Sequence, residues 1–229
     1  MNPAETLDHI RASLGFWLKE RKRSSMLVGI LFCRPTTKLA KDEILPAILD
    51  YHYRSDVHTQ FYFAGFKQIA TPTADSVAPR TEASAPSMEY DSKAFNELVR
   101  LIELKTSWKY SGGTDLILTN GRYNDTRREG YLDFSSSLAL TLEFVKQKDI
   151  YPELGMFFEE IFQFSEAYTG QDPALDLSDA LGKKSLVNVA KAVAFRLLPT
   201  EAKEKAEHGL QFRTSDLRAK SPGVSAKDA

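Results

Sequence analysis

The 229-residue chain is 42% hydrophobic, enough to bury one substantial core, and its 30 basic and 31 acidic residues leave a formal net charge of −1. That balance excludes a surface built throughout for nucleic acid or anionic lipid. A single cysteine excludes an intramolecular disulfide, a dithiol motif and any cysteine-rich metal site. It also fits a reducing compartment. The N-terminal segment MNPAETLDHIRASLGFWLKERKR is amphipathic and carries acids, with no continuous apolar core, so it reads as neither a secretory signal nor a membrane span. The chain is therefore expected to be cytoplasmic, without a membrane partner.

Leu7, Ile10, Leu14, Trp17 and Leu18 recur near helical spacing and predict an amphipathic helix over 4–22, ending in the basic run KERKR (19–23). That run reads as a solvated helix end. SMLVGILF (25–32) reads as a buried strand. The polar turn RPTTK leads into a helix over roughly 39–53, with Leu45, Ile48, Leu49 and His52 on one face. VHTQFYFAGF (57–66), aromatic and β-rich, predicts a second strand. Residues 67–90, with three prolines among Ala, Ser and Thr, read as a long flexible loop.

Asp91 or Ser92 then caps a helix carrying Phe95, Leu98, Val99 and Ile102 in step. TDLILT (114–119) and GYLDF (130–134) read as a hairpin joined by a polar connection, and Ser135–Ser137 as caps of a helix reaching about Lys148. Two more helices are expected over 152–168 and 185–199, followed by a charged tail. The expected organisation is an N-terminal helix (1–23), an α/β domain (24–148), a helical extension (149–199) and a partly disordered tail (200–229).

Without the first helix the order β–α–β–loop–α–β–β–α resembles the thioredoxin-like fold, in which a parallel β–α–β unit and an antiparallel hairpin share one sheet. ILPAILD (44–50) is similar to the first helix of thioredoxins, which carries a proline just inside and kinks there. The resemblance covers about 25–148. It implies an α/β fold with a β-α-β-α-β-β-α mixed sheet, an added N-terminal helix and two added C-terminal helices. A ferredoxin-like α/β sandwich with different strand pairing is the alternative.

The resemblance places a reactive thiol where Cys33 falls, between the first strand and first helix. There Arg34 and Lys38 would favour the thiolate, and Thr36 would complete the C-x-x-hydroxyl pattern of monothiol members. The chain departs from the pattern in lacking a second cysteine and a proline in YSGGTDL (110–116), where the family carries its cis-proline. Cys33 also reads as a strand-end residue acting as a small hydrophobe.

Other candidates come from the residues alone. IELK (102–105), with Asp91 upstream, has the E-x-K shape of metal-dependent nucleases, which needs Glu103 and Lys105 on a strand. His52, Asp56 and His58 have a spacing that suits neither one helix face nor a strand, so neither metal nor cofactor is expected. Trp108, Tyr110, Arg122 and Tyr123 interleave aromatic and basic groups, good binding anchors, and Arg127 and Arg128 could meet a phosphate backbone. Phe157, Phe158 and Phe162 belong to a helix with more aromatic surface than one face holds.

No complete catalytic constellation is present. The leading expectation is therefore a non-enzymatic interaction or adaptor module in a larger assembly, with a protein partner or a second copy favoured over nucleic acid. Small proteins of bacterial defence and toxin–immunity systems offer an analogy. A monothiol enzyme or sensor using Cys33 comes second, a metal-dependent nuclease third.

Overall fold

Every residue of SMLVGILF after the first is buried, because this strand lies at the centre of the sheet and both its faces are covered. The computed structural model describes residues 2–55, 58–68, 88–147, 151 and 153–181. In chain order these residues form β1 (Asn2–Ala4), α1 (Leu7–Glu20), β2 (Ser25–Phe32), a π-helical turn (Ala40–Ile44), α2 (Ile48–Ser55), β3 (Thr59–Ala64) and β4 (Phe66–Gln68). Then follow β5 (Met88–Tyr90), α3 (Ser92–Lys105), β6 (Asp115–Asn124), β7 (Glu129–Thr141), α4 (Leu142–Gln147) and α5 (Leu154–Ala167). Residues 173–181 form a last helix, α6.

The protein is mixed α/β, with a five-stranded sheet in the order β1-β3-β2-β6-β7. β1 and β2 run parallel to β3, while β6 pairs antiparallel with both β2 and β7. The period-2 alternation of a strand sorts its side chains into two cores. Leu27 and Leu31 join Phe61, Phe63, Leu116 and Leu118 beneath α2, α5 and α6. Met26, Val28, Ile30 and Phe32 face the other way, joining Tyr62 and Ile117 beneath α1 and α3.

Several sequence expectations change. The N-terminal segment is not helix alone, because Asn2–Ala4 pair with Tyr62–Ala64 and α1 starts only after Thr6, whose hydroxyl accepts from the His9 amide. The expected helix over 39–53 is interrupted. Pro46 has no N–H to donate; just before it the Leu45 amide reaches Ala40 five residues back, and a turn over 45–47 precedes α2. The loop expected over 67–90 has paired ends, β4 against β5; residues 69–87 lie outside the described part.

The hairpin is longer than its apolar cores. β6 continues to Asn124, the turn is confined to 125–128, and β7 absorbs Ser135–Ser137, expected as helix caps. Cross-strand partners explain this. The Ser137 hydroxyl donates to Thr119 Oγ1, and the Thr119 hydroxyl donates in turn to the Asp133 carbonyl, beside a register shift between Leu118 and Asn120. Among the described residues there, Leu142–Gln147 are helical.

α1 lies across β7 at a contact made by two glycines. A Cβ on Gly15 would sit 2.8 Å from the Gly130 nitrogen, so the backbones touch without side chains between them. Of the two added C-terminal helices, the first is described as α5, and α6 follows it where no helix was expected. α5 and α6 supply Phe157, Phe158, Ile161, Phe162, Leu177 and Leu181 to the core. The helix expected at 185–199 and the tail at 200–229 fall outside the described residues.

Candidate functional site

Cys33 follows β2 directly and continues its alternation into the core of Leu31 and Phe63, with no exposed surface. The helix it was expected to cap begins later. Thr37 accepts the Ala40 amide through its hydroxyl, and that hydroxyl donates to the Arg34 carbonyl, so the first free helical N–H groups lie four residues beyond the cysteine. Burial, and secondarily the nearby Glu143 carboxylate, push the thiol up to about 12.

Its expected helpers go elsewhere. The Arg34 guanidinium sits over the Phe95 and Tyr110 rings, at 5.3 and 5.7 Å, and donates to Asn96. Lys38 pairs with Asp42, and Thr36 is exposed in the turn. These four residues do not converge.

Glu103 and Lys105 lie on α3, not on a strand. The Glu103 carboxylate accepts from the Tyr110 amide and from Lys109, which hold it below the usual carboxylate range. Asp91 caps the far end of the same helix, accepting from the Lys93 and Ala94 amides. Twelve residues of helix separate the two acids by roughly 18 Å, too far to share one ion. Asp56 and the His52 side chain lie outside the described part. Among the described residues no three His, Cys, Asp or Glu side chains gather as a metal set.

The aromatic and basic anchors are mostly structural. Trp108 is 6% exposed, with its ring 4.8 Å from that of Phe32. The Tyr110 ring meets Phe95 edge-on, and its hydroxyl donates to the Gly113 carbonyl. Arg122 is bound to Asp133 at 2.6 Å, and Tyr123 packs half-buried against the α1 side of the sheet. Arg127 and Arg128 alone stand out in solvent, at the hairpin turn. Phe157, Phe158 and Phe162, at 2%, 0% and 4% exposure, fill the core instead of offering a surface.

At the end of β6 near Cys33, Asp115 is 1% exposed and accepts from the Ser111 amide, the Ser111 hydroxyl and Thr141. Burial pushes its carboxyl up against the pull of those donors. Glu143 accepts from the Thr114 amide. Together they fasten the 111–114 loop to the sheet.

The opposite end of the sheet holds what the sequence reading did not assemble. A cleft of about 260 Å³ lies among the end of α1, the starts of β2 and β3, and the segment after α5. Lys22, Arg23, Ser24 and Ser25 form one side, Met26, Leu27 and Pro173 contribute apolar surface, and His58, Tyr168 and Gln171 complete it. Arg23 lies 3.2 Å from His58 Nδ1. Burial, then the adjacent Arg23 charge, lowers the His58 pKa, favouring the neutral ring.

The far wall is pinned to the sheet. Buried Asn120 donates to Asp172 and accepts the Ala174 amide, so β6 anchors the first turn of α6. Asp172 is also the cap of that helix, accepting from Leu175, with Pro173 following it. The Asp-Pro pair in QDPALDLSDAL, followed by Ala174, Leu177 and Leu181 at helical spacing, was the available sequence signal for this element.

The fold and these sites define a mixed α/β protein with a sealed thiol and a polar, basic cleft. Among known proteins, no family model, curated sequence or solved structure matches the chain.

Proposed function

We propose that the chain is a non-enzymatic interaction module of thioredoxin-like layout, acting as an adaptor within a larger assembly. The observation that carries this reading is the state of Cys33, buried without exposed surface and held protonated, in a region whose neighbouring charges are engaged elsewhere. A protonated, enclosed sulfur is neither a nucleophile nor a redox relay. The layout is supported by β3-β2-β6-β7, a parallel pair followed by an antiparallel hairpin in one sheet, with helices on both faces.

The interaction role makes a demand on the surface, since a partner must cover exposed side chains. Phe16 on α1, Leu104 on α3 and Met156 on α5 each expose more than half of their surface. The test is purification of the tagged chain from its native cells. The expected result is a stoichiometric protein partner, or a second copy, lost in Phe16→Ser or Met156→Ser variants of unchanged Tm. A chain that is monomeric and alone, or that turns over a disulfide substrate through Cys33, overturns the reading.

A further inference from the structure

α1 ends in a motif that ordinarily takes glycine. The Arg23 amide reaches back to the Leu18 carbonyl and the Lys22 amide to Lys19, the paired closing bonds of a Schellman end, which place Lys22 in the left-handed position with φ of 50°. A side chain there crowds the following carbonyl oxygen and is disfavoured relative to glycine. The chain nevertheless sets a lysine in it, beside Arg23, on the wall of the cleft.

The cleft's hydrogen-bonding groups are arranged toward donation. The Ser24 and Ser25 hydroxyls donate to the Gln171 side-chain and backbone oxygens, leaving the Gln171 amide N–H groups without a partner among the described residues. Arg23 occupies one guanidinium nitrogen with His58 Nδ1, so in the neutral ring Nε2 carries the hydrogen. The lining residues include two full cations and no acid; Glu166 lies near enough to His58 to act on it electrostatically, as does Arg21. Met26, Leu27 and Pro173 add apolar surface beside these donors.

We propose that this cleft is a binding site for a small phosphate monoester, with the phosphate held by Lys22, Arg23 and the Gln171 amide and the organic body resting on Met26, Leu27 and Pro173. Charge-assisted bonds from a guanidinium and an ammonium suit a dianion, and an apolar floor suits an ester over bare phosphate. The site does not depend on the interaction-module reading.

The test is calorimetric titration of the full chain at low salt with phenyl phosphate, inorganic phosphate and phenol. Phenyl phosphate is expected to bind at one site, inorganic phosphate at least fivefold more weakly, and phenol not at all. Lys22→Gly and Arg23→Gln are each expected to weaken phenyl phosphate fivefold or more. Lys41→Gln, which removes one positive charge at an exposed position of the π-helical turn outside the cleft lining, leaves binding unchanged. Lys22→Gly relieves the left-handed residue, so its Tm stays at or above that of the parent and lost binding cannot be lost folding. Absence of phenyl phosphate binding at millimolar concentration overturns the site, as does equal weakening by all three substitutions. Phenol binding as tightly as its phosphate overturns the anion, and inorganic phosphate binding as tightly overturns the monoester.

Discussion

If Cys33 is sealed as described, its chemistry is governed by opening of the fold. Its thiol rises from an ordinary value of 9.0 to about 12, mainly through burial. Well below both values that shift lowers the thiolate fraction about a thousandfold, since each pKa unit is a factor of ten. The thiolate is the species that alkylates. At pH 8 the native chain should therefore react with iodoacetamide at least about a thousandfold more slowly than the chain in denaturant, and occlusion slows it further.

The same shift has a consequence for stability. A group whose folded pKa is raised contributes stability that is fully present below its unfolded value and is lost as pH rises toward the folded one. For Cys33 the loss falls between about pH 9 and pH 12 and approaches about 4 kcal/mol at its upper end, at 1.36 kcal/mol per unit. Buried tyrosines such as Tyr62, also raised to about 12, add to the alkaline limb. Cys33→Ala separates the contributions by removing only the first. The assay is urea denaturation of parent and variant from pH 7 to pH 11, alongside native and denatured alkylation rates read by mass spectrometry. A native rate within tenfold of the denatured one, with an apparent pKa at or below 8.5, refutes the sealed-thiol reasoning and revives thiol chemistry.

Two further predictions concern packing. A Cβ on Gly130 would lie 2.7 Å from the Arg11 carbonyl and closer still to the Gly15 nitrogen, both backbone atoms with little room to move. Gly130→Ala should cost about 3 kcal/mol or more by forcing α1 off the sheet, whereas Gly112→Ala, at φ of 88° in open space, should cost only about 1–2 kcal/mol; thermal unfolding distinguishes them, and equal losses would show that the glycine contact does not set the helix position. Phe158→Ala should cost about 3–5 kcal/mol, since its ring lies 4.5 Å from Tyr51 and 5.7 Å from Phe61. Met156→Ala, two residues away and 56% exposed, should change stability by less than about 0.5 kcal/mol, and a reversed order in chemical denaturation would place the buried face of α5 elsewhere.

The periodic elements were legible because their signal is local. Leu7 through Leu18, SMLVGILF, and Phe95 through Ile102 each announce a buried face by spacing alone, and all three form the expected element types. Cys33 as a buried strand end was legible for the same reason, whereas the break near Pro46 was implied only by the resemblance of ILPAILD to a kinked helix. A proline lacks a donor wherever it sits, and a cysteine continuing an apolar run has nothing nearby to expose it.

What stayed hidden depends on partners distant in sequence. Asn2–Ala4 carry no strand signal of their own and become β1 only because the edge of β3 is there to pair with. Ser135–Ser137 look like helix caps until Thr119 and Asp172 supply partners for Ser137 and Ser136. The aromatic excess of α5 suggested an external surface, but the ring cluster of Tyr51, Phe61, Phe158 and Phe162 needs three elements to meet before it reads as core. The cleft is the extreme case: Lys22 and Gln171 are 149 positions apart, and the Ser24–Gln171 and Asn120–Asp172 bonds bring its walls together. Local spacing determines which face of an element is apolar. Only the folded chain determines which polar groups, released from water by that burial, find one another across it.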